Sequence, residues 1–245
     1  MNKKEVVVDT GIREGAILRR YMDLPKYLDM LRSSTVYVSR VDGFTDKLEG
    51  VLTPSIRVGI NKAHSDGKID YDADEFIRRL RKNIYVNCWT LSAHDNMALW
   101  KLYSSASIGI AITTTKEQLI RSCADWTTDK CVKIFKVEYI DHLKNPDMII
   151  GSYSDPLRFK HKAYKYETEI RVVISRAGTK TDNQNPKGIR LPINLDTLVR
   201  SVVVAPEADS WFYDLVSDVT SKYRLSAPVR KSKLAYVGSK LNKQL

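Results

Sequence analysis

The sequence predicts an α+β fold, with a mixed or antiparallel central sheet and flanking helices. Two observations predict it: after residue 84 runs rich in β-branched residues outnumber long helical patterns, and few of those runs alternate strictly with helices. In 245 residues there is no internal repeat and no low-complexity linker, so a single domain over 1–245 is expected, with a basic C-terminal tail over about 229–245.

Residues 16–21 read as a short strand. Leu24-Pro25 then opens a helix, because proline at the first helical position lacks only an N–H that has no partner there, and Leu24, Tyr27, Leu28 and Leu31 follow at helical spacing. Residues 36–40 alternate like a strand, and 42–50, with Gly43, Asp46, Glu49 and Gly50, read as a structured loop. The polar stretch 61–74 is expected to be a mobile excursion. The helix after it carries Phe76, Ile77 and Leu80 on one side and Arg78, Arg79, Arg81 and Lys82 on the other. Residues 84–91 are strand-like. Ser92, with Asp95 three residues on, resembles a capped helix start, and Met97, Trp100 and Tyr103 are expected on one inward face. Further strands are expected at 109–113, 132–140, 170–174 and 201–205. A last helix over 208–223 places Phe212, Leu215, Val216, Val219 and Tyr223 at helical spacing.

Forty lysines and arginines against 29 acidic residues give a net charge of +11, which favours phosphate-rich partners. The cations gather in three places: Arg78, Arg79, Arg81 and Lys82; Arg158, Lys160, His161, Lys162 and Lys165; and Arg230, Lys231, Lys233, Lys240 and Lys243. Each group alone reads as a solvated face, whereas the three together point to a polyanion. Nucleic acid is the expected partner, with Arg78, Arg79, Arg81, Lys82, Lys160 and Lys162 as candidate contacts. No apolar run approaches the roughly 20 residues that cross a bilayer, and the charged start lacks a signal sequence, so no membrane association and a cytoplasmic location are expected. Oligomeric state is not legible. Cys88, Cys123 and Cys131 are odd in number and lack CxxC spacing, which points to reduced core residues rather than disulfides or a zinc site. GxGxxG, P-loop, HExxH and GxSxG motifs are absent, and His64, His94, His142 and His161 do not fall at metal-ligand spacings.

The chemistry-bearing segment is YKYETEIRVVI, residues 164–174. At strand spacing Glu167, Glu169 and Arg171 project from one face and Thr168, Ile170, Val172 and Ile174 from the other. Either the charges of a half-exposed strand face water, or a carboxylate pair is held for chemistry. Arg20 beside Tyr21 is either a partner of Asp23 or Glu49 or an anion hook. Trp89, Trp100 and Tyr103 lie at spacings that normally mean core. His161 is a hydrogen-bonded surface residue, or else a general acid or phosphate contact.

The runs RYMDLPKYLDML, VYVSRVDGFTDKLEG, VNCWTLSAHDNMALWKLYSSASIGIAI, FKHKAYKYETEIRVVI and LDTLVRSVVVAPEADSWF, spanning 18–225 in order, resemble a bacterial and phage family known only as a domain of unknown function, found in some cases near abortive-infection genes. The order of parts is also similar to the arginine–serine–glutamate ADP-ribosyltransferases. In those enzymes an arginine ends the first strand, a Ser/Thr-containing strand follows, and a Glu-x-Glu begins a later strand. That resemblance implies an ADP-ribosyltransferase-like sheet, NAD as substrate and a nucleic-acid acceptor. It assigns Arg20 to the pyrophosphate, with Tyr21 beside it, Thr90 (sharing its position with Ser92) to the middle strand, and Glu169 and Glu167 to catalysis. Trp100 or Tyr103 would stack on an exposed ring. Cleaving the nicotinamide–ribose bond builds oxocarbenium-like charge that a carboxylate, Glu169, stabilises, while Glu167 orients or deprotonates the acceptor. A toxin or defence effector in bacterium–phage conflict is the implied setting. Two other readings stay open: a nucleic-acid-binding or metal-dependent nuclease-like module, with a divalent ion on Asp46, Glu49, Glu167 and Glu169, and a non-enzymatic interaction protein.

Overall fold

A computed structural model of the chain describes residues 5–46, 48–128, 130–144, 148, 150–176 and 186–235. Its strands are β1 (Val7–Val8), β2 (Ile17–Asp23), β3 (Thr35–Arg40), β4 (Ile84–Leu91), β5 (Gly109–Thr115), β6 (Lys130–Lys136), β7 (Glu138–Ile140), β8 (Phe159–His161), β9 (Glu169–Arg176), β10 (Gly188–Pro192), β11 (Ser201–Val204) and β12 (Val229–Lys231). Its helices are α1 (Leu24–Ser33), α2 (Pro54–Ser65), α3 (Ala73–Asn83), α4 (Met97–Tyr103), α5 (Lys116–Cys123), α6 (Leu195–Leu198) and α7 (Ser210–Lys222). The class is α+β with mixed pairing, as the strand-rich second half predicts. The chain falls into two compact units, each drawn from three separate stretches: Met1–Gly11, Tyr37–Cys88 and Trp126–Ile189 form one, and Ile12–Val36, Trp89–Asp125 and Arg190–Leu245 the other. Units assembled in this way need no linker, which is why composition marks no boundary.

In the first unit β6 and β9 pair antiparallel along their length, from Lys130↔Arg176 to Lys136↔Ile170. Two-residue β1 joins β6 in parallel, and β9 lies between β6 and β4. Both faces of β9 are covered, so Ile170, Arg171, Val172, Val173 and Ile174 are all buried; alternation therefore reads poorly there. The apolar side of α3 supplies Phe76 and Leu80 to a core with Leu52, Ile84, Phe135 and Val173. Asp72 caps that helix by accepting from the Glu75 N–H at 2.8 Å.

The stretch 61–74 is not the expected excursion, because α2 runs through Ser65 and α3 begins at Ala73. Asn61 ties the two together, its side-chain oxygen accepting from the Ala73 N–H at 2.9 Å. No residue of α2 is buried outright; its short apolar stripe, Ile56, Ile60 and Ala63, only leans on the core. The legible signal was Thr53-Pro54, a helix-start pair.

In the second unit β5 is central. It pairs antiparallel with β2, from Ile17↔Thr115 to Asp23↔Gly109, and with β11, which takes β12 in parallel. The last residues of β4 close the other side of β2, with Leu18↔Leu91 and Arg19↔Thr90. Helix α7 buries Phe212, Val216 and Thr220, and leaves Leu215 and Tyr223 exposed. The expected cap of α4 is displaced: Asn96, not Ser92, accepts from the Ala98 and Leu99 N–H groups, while Ser92 bonds His94. The expected inward face changes with it. At about 100° per residue, steps of three drift backward by about 60° each, so Leu99 and Trp100 are buried while Tyr103 is 47% exposed. Among the described residues no helix is long and apolar enough to cross a membrane.

Candidate functional site

Strand β8 carries Lys160 inward, and two turns of 3₁₀ helix, Lys162–Glu167, follow it. His161 caps that segment, its Nδ1 accepting from the Ala163 N–H at 3.2 Å. Glu167 therefore ends a helical turn and does not sit on the strand, as spacing alone suggested. The reversal falls at Thr168, whose φ of 44° is left-handed and costly for a β-branched residue. β9 starts at the next residue, so both carboxylates still arrive at one amine: Lys160 Nζ lies 2.6 Å from Glu167 Oε2 and 3.1 Å from Glu169 Oε2.

Arg171 completes the cluster. Its Nε donates to Glu169 Oε1 at 2.9 Å and its Nη2 to Glu169 Oε2 at 3.0 Å, while Nη1 and Nη2 take Glu49 at 2.7 and 2.6 Å and Nη1 also reaches the Leu157 carbonyl at 2.8 Å. Glu49 is set by its own loop. Gly50 follows it at φ 70°, where an added Cβ would come within 2.9 Å of Leu80, and the Arg81 guanidinium donates to the Glu49 carbonyl. Tyr139 accepts from the Glu169 N–H at 2.8 Å. The Cys88 thiol faces the Glu169 carboxylate. Glu49, Glu167 and Glu169 are at most 4% exposed and Arg171 is 0% exposed. These charges do not face water.

Three carboxylates against two cations leave the cluster with one surplus negative charge. Burial pushes the Glu169 carboxyl up, but the charges of Arg171 and Lys160 outweigh it and bring it down to about 2. Burial disfavours the Lys160 ammonium too, yet Glu169, Glu49 and Glu167 hold it well above the ordinary lysine value. Burial, with the charge of Glu169, raises the Cys88 thiol and keeps it protonated. The cluster does not fit a divalent ion on Asp46, Glu49, Glu167 and Glu169, because ammonium and guanidinium already occupy the glutamates. Among the described residues no group of three or more His, Cys, Asp or Glu is placed to hold a metal.

The other expected site residues lie in the second unit. Arg20 is on β2 opposite Ile112, and Thr90 on β4 faces Arg19. The Tyr21 hydroxyl accepts from the Asn96 N–H at 3.1 Å, and its ring meets Trp100 edge-on at 4.9 Å. Trp100 is 0% exposed and is core; Tyr103 is not. A buried pair went unread in the sequence: Arg19 binds Asp95 at 2.8 Å, and Asp95 in turn holds Ser232 and the Lys233 N–H. Nothing in the spacing of residues 19 and 95 announces it.

The basic groups differ in availability. Arg78 and Arg79 both grip Glu75, Arg79 also reaches Asp70, and Arg81 serves Glu49. Lys82 lies in the last turn of α3 and is half-buried. Lys162 is exposed and pairs with Asp141 at 2.7 Å, and Arg158 pairs with Asp9 at 2.7 Å. Lys160 does not present its charge at the surface. Arg230, Lys231 and Lys233 are exposed, whereas Lys240 and Lys243 lie outside the described residues.

No protein-family model matches the chain and no curated protein matches it, so the resemblance to a family of unknown function stands on the quoted runs alone. Among solved structures the chain is similar to Thermus sp. 2.9 DarT in complex with ADP-ribosylated ssDNA, at 8% identity and TM-score 0.42, covering 91% of this chain and 96% of that one. It is similar to the same protein in complex with NAD+, at 8% identity and TM-score 0.43 over 91% and 98%, and with carba-NAD+, at 8% identity and TM-score 0.40 over 91% and 97%.

Proposed function

We propose that the chain is an NAD-dependent ADP-ribosyltransferase that modifies nucleic acid, acting as a toxin or defence effector in bacterium–phage conflict. The observation that carries this reading is Glu169, a carboxylate at the first residue of β9 that stays ionised although buried, because Arg171 and Lys160 offset its desolvation. Breaking the nicotinamide–ribose bond develops positive charge on the ribose, and a fixed anion stabilises that charge without reorganising during the reaction. A carboxyl that took up a proton on burial would be useless there. Glu167, tied to the same ammonium, is the acceptor-orienting base. Arg20 supplies a guanidinium for the pyrophosphate, whereas Tyr21 and Thr90 share the opposite face of the sheet with Arg19. The net charge of +11 and the exposed Arg230, Lys231 and Lys233 favour a nucleic-acid acceptor.

The test is incubation of the chain with NAD labelled in its adenylate part, together with DNA or RNA. Label transferred to one of the two, with nicotinamide released, is the expected result. Absence of nicotinamide release with every acceptor overturns the reading.

A further inference from the structure

We infer that Lys160 is a positioning residue whose ammonium keeps two neighbouring carboxylates, Glu167 and Glu169, ionised and aimed together; its part in catalysis rests on the function proposed above. The geometry leaves the task to Lys160. All five N–H groups of Arg171 are engaged, three by Glu49 and the Leu157 carbonyl and two by Glu169, with none remaining for Glu167. The Lys160 ammonium stands 2.6 Å from Glu167, 3.1 Å from Glu169 and 3.5 Å from Glu49. It also lies 4.7 Å from the centre of the Tyr164 ring, so its position is fixed from a fourth side.

The groups facing the pair include Lys160 from β8, Arg171 from β9, Glu49 from its loop, Cys88 from β4, Tyr139 from β7, and Tyr164 and Tyr166 from the 3₁₀ segment. Only Lys160 and Arg171 in this set are cationic. Without the ammonium, three buried carboxylates would share one guanidinium, and adjacent carboxylates in that condition retain a proton between them. A proton on Glu167 removes the base; on Glu169 it removes the anion. A basic residue nine positions before Glu169 that looks like a nucleic-acid contact in the sequence thus becomes the residue that sets the charge of the site.

The experiment follows the glutamate carboxyl carbons by NMR through a pH titration of the full chain, for wild type, Lys160→Met, Lys160→Arg and Lys160→Met/Glu167→Gln, with the pH profile of nicotinamide release measured in parallel. In Lys160→Met one carboxyl of the pair is expected to take up a proton with its midpoint raised by about one to three pH units, as for loss of one adjacent opposite charge. The acid limb of kcat should rise with it, activity recovering at alkaline pH. Lys160→Arg should restore the wild-type midpoint. The double variant, relieved of one carboxylate, keeps the test open if Lys160→Met does not fold: Glu169 should titrate there as in wild type. Unshifted midpoints in Lys160→Met, a shifted Glu169 midpoint in the double variant, or a loss of rate equal at every pH overturns the inference. Nicotinamide release absent from wild type removes the function proposed above and the catalytic part of the inference with it; the titration, which needs no NAD, then decides the charge-holding role by itself.

Discussion

Arg171 and Glu49, 122 residues apart in sequence, form a two-pronged ion pair at 2.6 and 2.7 Å with both side chains at most 2% exposed. Removing one member strands the other as a buried charge. Glu49→Ala or Arg171→Met should therefore cost about 3–5 kcal/mol of unfolding free energy, read from the midpoint of chemical denaturation. A loss below about 1 kcal/mol, the range of exposed pairs, would contradict the assignment.

This pair shows what the sequence hides. Helix α3 was legible because it carries one apolar face in its own period, and strand β4 because β-branched and aromatic residues run through it. The Glu-x-Glu segment was legible as chemistry, but its surroundings were not: Glu49 reaches Arg171 from 122 residues away, and the turn at Thr168 takes Glu167 off the strand. Helix α2 left only a short stripe, Ile56, Ile60 and Ala63, none of it fully buried, and β12 is a three-residue strand whose pairing with β11 depends on tertiary structure.

Trp100 and Tyr103, read alike from spacing, should separate by stability. Trp100→Ala removes a fully buried ring that meets Tyr21 edge-on and should cost about 3–5 kcal/mol. Tyr103→Ala, at an exposed position, should stay within about 0.5 kcal/mol. Weaker use of NAD by Trp100→Ala at unchanged stability would return that residue to a ring-stacking role.

Acid should weaken the fold through Glu169. Its carboxyl is lowered from an ordinary value of 4.5 to about 2, so its contribution to stability is complete above 4.5 and is lost as pH falls toward 2. Unfolding free energy measured across that window should drop more steeply for wild type than for Glu169→Gln, which has no carboxyl to protonate. Equal slopes would contradict an ionised buried Glu169.

Binding to nucleic acid should fall linearly on a log–log plot against salt, because neutralised phosphates release counterions. Reversing the exposed Arg230, Lys231 and Lys233 should flatten that slope, whereas reversing Arg78 and Arg79, already paired to Glu75, should change it less. A slope unchanged by the first substitution would return the C-terminal cations to a solubility role.

The most direct measurement is nicotinamide release from NAD by wild type and Glu169→Gln, with Glu167→Gln as the paired control. Glu169→Gln keeps the size of the side chain and removes its charge, so turnover should fall by ~10²–10³-fold, the usual effect of deleting one electrostatic stabiliser. Glu167→Gln should weaken transfer to nucleic acid more than hydrolysis of NAD, since water replaces the acceptor in the second reaction. Full activity in Glu169→Gln would contradict the account and leave the buried cluster a structural ion network.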